Sequence, residues 1–180
     1  MTTIAGLTPG VWKIDPTHTT AEFIVRHLMV TKVRGRFTDL KGTVTIGEDP
    51  LDSSVEVEIG TTSITTGEEA RDNHLRTADF LEVEKYPVMT FKSTEILPKG
   101  SEYIVRGDLT LHGVTKPIEL TLEFNGVTGD PWGGTRAGFS AAAEINRKDY
   151  GVDIHLPMDG GGVVVGDKVK IKIEAEVIKS

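Results

Sequence analysis

The last segment of this chain alternates so strictly that it limits the whole fold. Val169, Ile171, Ile173, Ala175 and Val177 interleave with Lys168, Lys170, Lys172, Glu174 and Glu176. A period of two puts every apolar side chain on one face of an extended strand and every charge on the other. A helix would spread both sets around its circumference, so this segment is a strand with one face in a core and one in water. The same alternation recurs upstream at Phe23 and Val25, at Val44 and Ile46, and at Val55, Val57 and Ile59. It continues through Met89 and Phe91, through Tyr103, Val105, Leu109 and Leu111, and through Ile118, Leu120, Leu122 and Phe124.

Turn chemistry separates these runs at Gly47 to Pro50, Pro98-Lys99-Gly100, Asn125-Gly126 and the Gly129 to Gly134 stretch. About eight strands with short links predict an antiparallel meander, closed into a barrel or folded into a sandwich. Closure removes exposed strand edges, which favours the barrel in a chain rich in β-branched residues. One segment breaks the period. Thr65 with Glu68, and Thr66 with Glu69, fit a capping box, and Ala70, His74, Ala78 and Leu81 follow at helical spacing before Pro87. A helical insertion over about residues 66–82, whole or broken in two, is expected, with a second short helical turn at His27 to Thr31.

At 180 residues the chain suits one domain, 1–180, with a real core. Its net charge of −7 argues against general nucleic-acid binding, which needs surplus Lys and Arg. It holds no cysteine, which excludes disulfides, thiolate metal sites and a Cys nucleophile. The N-terminal residues lack the basic start and apolar run of a signal peptide, and no stretch is apolar enough to cross a bilayer as a helix. A cytoplasmic location is the expectation.

The inward-facing set is apolar, and a barrel of about eight strands either fills with side chains or holds one ligand. Ala137, Ala141, Ala143 and Ala175 are small where a packed core wants Leu or Ile, which leans towards space. The stretch holding Arg26, His27, Lys32, Arg34 and Arg36 has no acid between Glu22 and Asp39, and Leu28, Met29, Val30 and Val33 interleave with the bases. It suits an anionic membrane surface or a ligand's diphosphate head, against the plainer reading of a solvated connection. His18, His27, His74, His112 and His155 show no metal-ligand spacing and read as structural. Arg71, Asp72, His74 and Arg76 form a polar cluster that reads first as a network tying the helix down and second as a head-group site. Asp159 to Gly162 lacks the Gly-Lys-Ser/Thr of a phosphate loop, and Ser140 lacks the second glycine of a nucleophile elbow. Glu144, Asp149 and Asp153 form no recognisable pair, so no catalytic residue is assigned.

Together the motifs resemble the YceI-like family of lipocalin-shaped, polyisoprenoid-binding proteins. The resemblance is carried by Trp12-Lys13-Ile14-Asp15 with His18, Phe23 to His27, Gly35-Arg36-Phe37 and Leu40-Lys41-Gly42. It continues through Ser63 to Thr66, Arg71 to Arg76 with Asp79-Phe80, Tyr86-Pro87 and Phe91-Lys92-Ser93. Gly107 to Thr115, Asn146 to Gly151 and Val165-Gly166-Asp167 complete it. The resemblance implies an all-β, eight-stranded antiparallel lipocalin-like barrel around a hydrophobic tunnel, with no cofactor, no metal and no catalytic residues. It implies a binder or carrier of a polyprenol, polyprenyl phosphate or isoprenoid quinone. The alternatives are another amphiphile, such as a fatty acid or fatty amide, and then an enzyme acting on such a lipid. Many relatives are exported, a point on which this N-terminus differs. Alternation and the family fold together assign Phe23, Val25, Val44, Ile46, Val57, Met89, Phe91, Leu109, Leu111, Leu120, Leu122, Phe139 and Ile171 to the tunnel lining. Arg26, His27, Lys32, Arg34 and Arg36 are assigned to head-group or membrane contact. A homodimer and transient contact with a membrane surface are further expectations.

Overall fold

The computed structural model describes residues 4–28, 30–153 and 165–180. Met29, His155 and the Gly160 to Gly162 run therefore lie outside the described residues. The first half contributes short strands: β1 (Gly10–Ile14), β2 (Thr20–His27), β3 (Thr31–Phe37), β4 (Leu40–Ile46), β5 (Ser54–Gly60) and β6 (Ile64–Thr65). After the helix α1 (Glu69–Leu75) come long ones: β7 (Val88–Lys99), β8 (Glu102–Leu111), β9 (Val114–Gly129), β10 (Thr135–Asn146) and β11 (Val165–Lys179).

Hydrogen bonds run in the order β1-β4-β5-β7-β8-β9-β10-β11, and β11 returns to β1, closing an antiparallel barrel of eight strands. The strands β2, β3 and β6 prolong one end of it. β11 pairs with β1 at Val177–Lys179 and with β2 along Val169–Glu174, so β1 and β2 act as one strand broken by a turn. The break falls at Pro16–His18, where proline has no N–H for a ladder and the Asp15 carboxylate accepts from Thr17 N at 2.9 Å.

Two apolar layers fill the barrel unevenly. At the end where β1 starts and β11 finishes, Leu7, Trp12, Val44, Ile46, Ala137 and Val177 pack together, and Trp12 is fully buried. Towards the other end, Met89, Phe91, Val105, Leu109, Leu111, Leu120 and Tyr150 form a second cluster. Gly35 is buried on the inward face of β3. It pairs with Phe23 across β2 and β3, and the Phe23 ring lies where a Cβ at position 35 would sit.

Several sequence expectations meet corrections. Asn125-Gly126 makes no turn, because β9 runs through it. Register slips there from Gly138 opposite Gly126 to Phe139 opposite Phe124, leaving Asn125 as the extra residue of a bulge. Gly126 at φ 131° takes a backbone shape that L side chains rarely adopt, and Asn125 donates to Ser140 Oγ at 2.9 Å. Pro98 lies inside β7, with the turn falling at Gly100 and Ser101.

The helix spans seven residues rather than 66–82. Neither capping box forms; instead Asp72 accepts from both the N–H and hydroxyl of Thr66. Beyond Leu75 the chain turns, because Arg76 is drawn to the Thr62 and Ile64 carbonyls and Thr77 Oγ1 donates back to His74 O. β2 and β3 pair up to His27 opposite Thr31, so a tight hairpin joins them in place of the expected helical turn, with Leu28 at φ 53°.

Candidate functional site

The barrel is hollow. A cavity of about 600 Å³ runs along its axis and stops against the layer that contains Trp12. Its wall is aliphatic and aromatic, built by the inward faces of the strands and by Leu75, Phe80 and Leu81 from the helical segment. Polar residues on the wall are few: Glu22, Arg26, His27, Thr66, Arg71, His74 and Arg147. Apart from Glu22, which lies nearer the foot of β2 opposite Arg36 and Lys172, they stand at the end opposite Trp12, where α1, the β2–β3 hairpin and the start of β11 meet. The cavity therefore has a blind apolar end and a polar mouth.

Twelve of the thirteen residues assigned to the lining stand on the cavity wall: Phe23, Val25, Val44, Val57, Met89, Phe91, Leu109, Leu111, Leu120, Leu122, Phe139 and Ile171. Ile46 faces inward but lies in the Trp12 layer, beyond the blind end, so it does not line the cavity. Arg26 and His27 border the mouth, whereas Lys32, Arg34 and Arg36 are exposed and do not line it. They alternate with Val33 and Phe37, which do. Val105, Ile173 and Ala175 keep the parity of assigned residues on their own strands, so the alternation contained them, whereas Val33 and Phe37 lie on a strand that was not among the alternating runs. Leu75, Phe80 and Leu81 had no such signal, because only the path of the insertion brings them over the barrel.

The mouth is braced by side chains whose donors are already engaged. Arg147 is buried and donates to the carbonyls of Val152 (2.6 Å), Gly166 (2.9 Å) and Val165 (3.2 Å), and its Nη2 lies 3.4 Å from an Asp167 oxygen. It thus ties together the chain on both sides of residues 154–164. Arg71 donates to Thr66, and His74 Nε2 lies 2.8 Å from Asp79, so the polar cluster read in the insertion is a network with two members on the wall. Tyr150 is buried beneath the mouth with its hydroxyl unpartnered, and burial, then Asp149, pushes the phenol pKa up.

The far end carries the strongest electrostatics. Arg136 reaches Asp15 at 2.7 Å, Asp130 at 2.9 Å and Glu176 at 3.5 Å. Hydrogen bonds from Thr17, then His18 and Arg136, hold the Asp15 carboxyl well below the usual carboxylate range. Asp15, His18 and Glu176 converge as a metal trio would, but the Arg136 guanidinium already supplies the cation between the carboxylates.

The YceI-like domain family matches residues 12–177, which is nearly the whole barrel. The chain belongs to the YceI-like family. Protein YceI of Escherichia coli O157:H7 is 45% identical over 148 residues, covering 81% of this chain and 78% of that protein. The crystal structure of the Campylobacter jejuni YCEI protein superposes with a TM-score of 0.72 at 28% identity, over 86% of this chain and 90% of that one. The same YceI-like fold appears in a polyisoprenoid binding domain from Saccharophagus degradans, with a TM-score of 0.73 at 17% identity over 96% of this chain and all of that one.

Proposed function

We propose that this YceI-like protein sequesters or carries a long isoprenoid lipid, a polyprenol, polyprenyl phosphate or isoprenoid quinone, inside its barrel. The observation that carries the reading is a cavity of about 600 Å³ with an apolar blind end and a polar mouth. That shape matches a molecule with a long apolar tail and one polar head. A cavity of roughly 150 Å³ accommodates one benzene, so this one has room for about four six-carbon units, a chain of about two dozen carbons. The description of the Saccharophagus degradans domain as polyisoprenoid binding points the same way.

Burial of about ten methylenes from water contributes roughly 8 kcal/mol before immobilisation costs, which corresponds to about micromolar affinity. An isoprenoid leaving a bilayer starts in an apolar medium, so selectivity has to come from cavity shape and from the head group at the mouth. Arg26, His27 and Arg71 border that position. Binding rather than turnover is favoured because the polar wall residues serve the frame: Arg147 holds backbone carbonyls, and His74 is bound to Asp79 within the insertion. A cytoplasmic carrier is part of the same proposal.

Native mass spectrometry of the freshly purified protein, followed by denaturation and identification of released lipid, tests the reading. A stoichiometric prenyl lipid is the expected result. A fatty acid or fatty amide in its place would reassign the cargo. A protein that emerges empty and takes up no added prenyl lipid would overturn the proposal.

A further inference from the structure

The outer wall beside the mouth carries a charge that the rest of the chain does not share. The protein has a net charge of −7, yet seven cations lie together on β2, β3 and β11. Arg34 of β3 and Lys170 of β11 both pair with Ile24 of β2, and Arg36 and Lys172 both pair with Glu22. Two basic rows therefore flank β2, extended by Lys32 and Arg26 on the hairpin and by Lys168 on β11, all of them exposed. Glu22, 3.6 Å from Arg34, and Glu144, 3.9 Å from Lys168, offset only part of this charge.

The tip of the same hairpin is apolar. Val30 is 78% exposed and Leu28 is 37% exposed, both among the most exposed large hydrophobic residues described. Leu28 is held in the left-handed backbone region, which disfavours a residue with a Cβ, while Val30 N donates to His27 O at 3.2 Å. Arg26 and His27, at the base of this turn, border the cavity mouth. Nucleic acid or an acidic protein would satisfy the cations and leave the apolar tip in water. An anionic bilayer satisfies both, because it offers phosphates at its surface and hydrocarbon just beneath.

We propose that the β2–β3 hairpin docks this protein on anionic membranes, with Leu28 and Val30 entering the headgroup boundary and the basic rows meeting lipid phosphates. This placement turns the cavity mouth towards the bilayer. It goes beyond the cargo reading and does not depend on which lipid the barrel holds.

The chain has no cysteine, so Val30→Cys carries a single environment-sensitive fluorophore without competing sites. With vesicles of mixed phosphatidylcholine and phosphatidylglycerol at low salt, the probe is expected to shift to the blue. Phosphatidylcholine alone leaves it unchanged, as does a probe at Ser101→Cys on the opposite end. Sedimentation should show at least about tenfold more protein on anionic than on neutral vesicles, a preference lost near 1 M salt, where the Debye length is about 3 Å. The triple variant Lys32→Glu, Arg34→Glu and Arg36→Glu should lose that preference while keeping the parent melting temperature. If the triple variant does not fold, the Val30→Cys probe decides alone. Ala141→Phe, which narrows the cavity, should dock like the parent, so failure of cargo binding and failure of docking are read separately. A probe that stays in water on anionic vesicles, or binding to duplex DNA at the same salt without binding to vesicles, would overturn the proposal.

Discussion

The two ends of this barrel solve opposite problems with the same strands. At the closed end Trp12 is fully buried, its Nε1 donates to Thr8 O at 3.0 Å, and Arg136 binds three carboxylates at once. At the mouth the local rules are broken repeatedly. Among the described residues, Leu28, Glu82 and His112 are the non-glycines at positive φ, and each sits in a turn beside the mouth. The Tyr150 hydroxyl and His112 Nε2 are buried there without hydrogen-bond partners, Nε2 lying 3.7 Å from a Glu82 carboxylate oxygen. Strain and unsatisfied polar groups concentrate where a protein trades stability for a function. The closed end thus holds the fold, and the mouth uses it.

The largest effect that would test this division is Trp12→Ala. Emptying the fully buried layer should cost about 3–5 kcal/mol in chemical denaturation, and a loss below about 1 kcal/mol would mean that the closed end does not hold the barrel.

Asp15→Asn comes next, at about 2 kcal/mol for weakening charged hydrogen bonds in a buried place. Because the folded carboxyl titrates below the ordinary Asp value of about 3.9, its stabilisation is present above that pH and is lost as pH falls towards the folded value. The parent should therefore destabilise below about pH 4 more steeply than Asp15→Asn does, as followed by melting temperature against pH. Equal slopes would remove Asp15 from the account.

Ala141→Phe addresses the cavity. It should weaken prenyl-lipid binding at least about tenfold, or 1.4 kcal/mol, in a titration, while leaving stability unchanged or slightly higher. Unchanged affinity would mean that lipid binds elsewhere.

The smallest effect is expected at the mouth's own network. Asp79→Asn removes the charge from an exposed contact to His74 and should cost under about 0.5 kcal/mol. Amide exchange over residues 69–81 should quicken only slightly, since Asp72 and Arg76 also tie the insertion to Thr66, Thr62 and Ile64.

Much of this was legible in the sequence, and the reasons are local. A strand side chain's face is set by its neighbours' parity, so Val25, Phe91, Leu120 and Ile171 could be placed on the inner wall from spacing together with the family fold. Parity says nothing about position along the axis. Ile46 shares the inner face with Val44 yet falls in the Trp12 layer, while Val44 touches both that layer and the cavity. The insertion was misread in extent because helix propensity continues past Leu75, whereas the Arg76 bonds to Thr62 and Ile64 end the helix from outside it. Asn125-Gly126 carries turn chemistry that a bulge uses equally well, and only the facing strand decides between them.

The sequence by itself determined the strand class, the face of the alternating strands and the family, because these depend on residue type and short spacing. The tertiary structure alone decided the rest. It set that the ring closes through β11 on β1, that Asp15 meets Arg136 across 121 residues, and that one end is packed while the other stays hollow. Packing and cavities are differences between volumes contributed by distant segments, and no local pattern records such a difference.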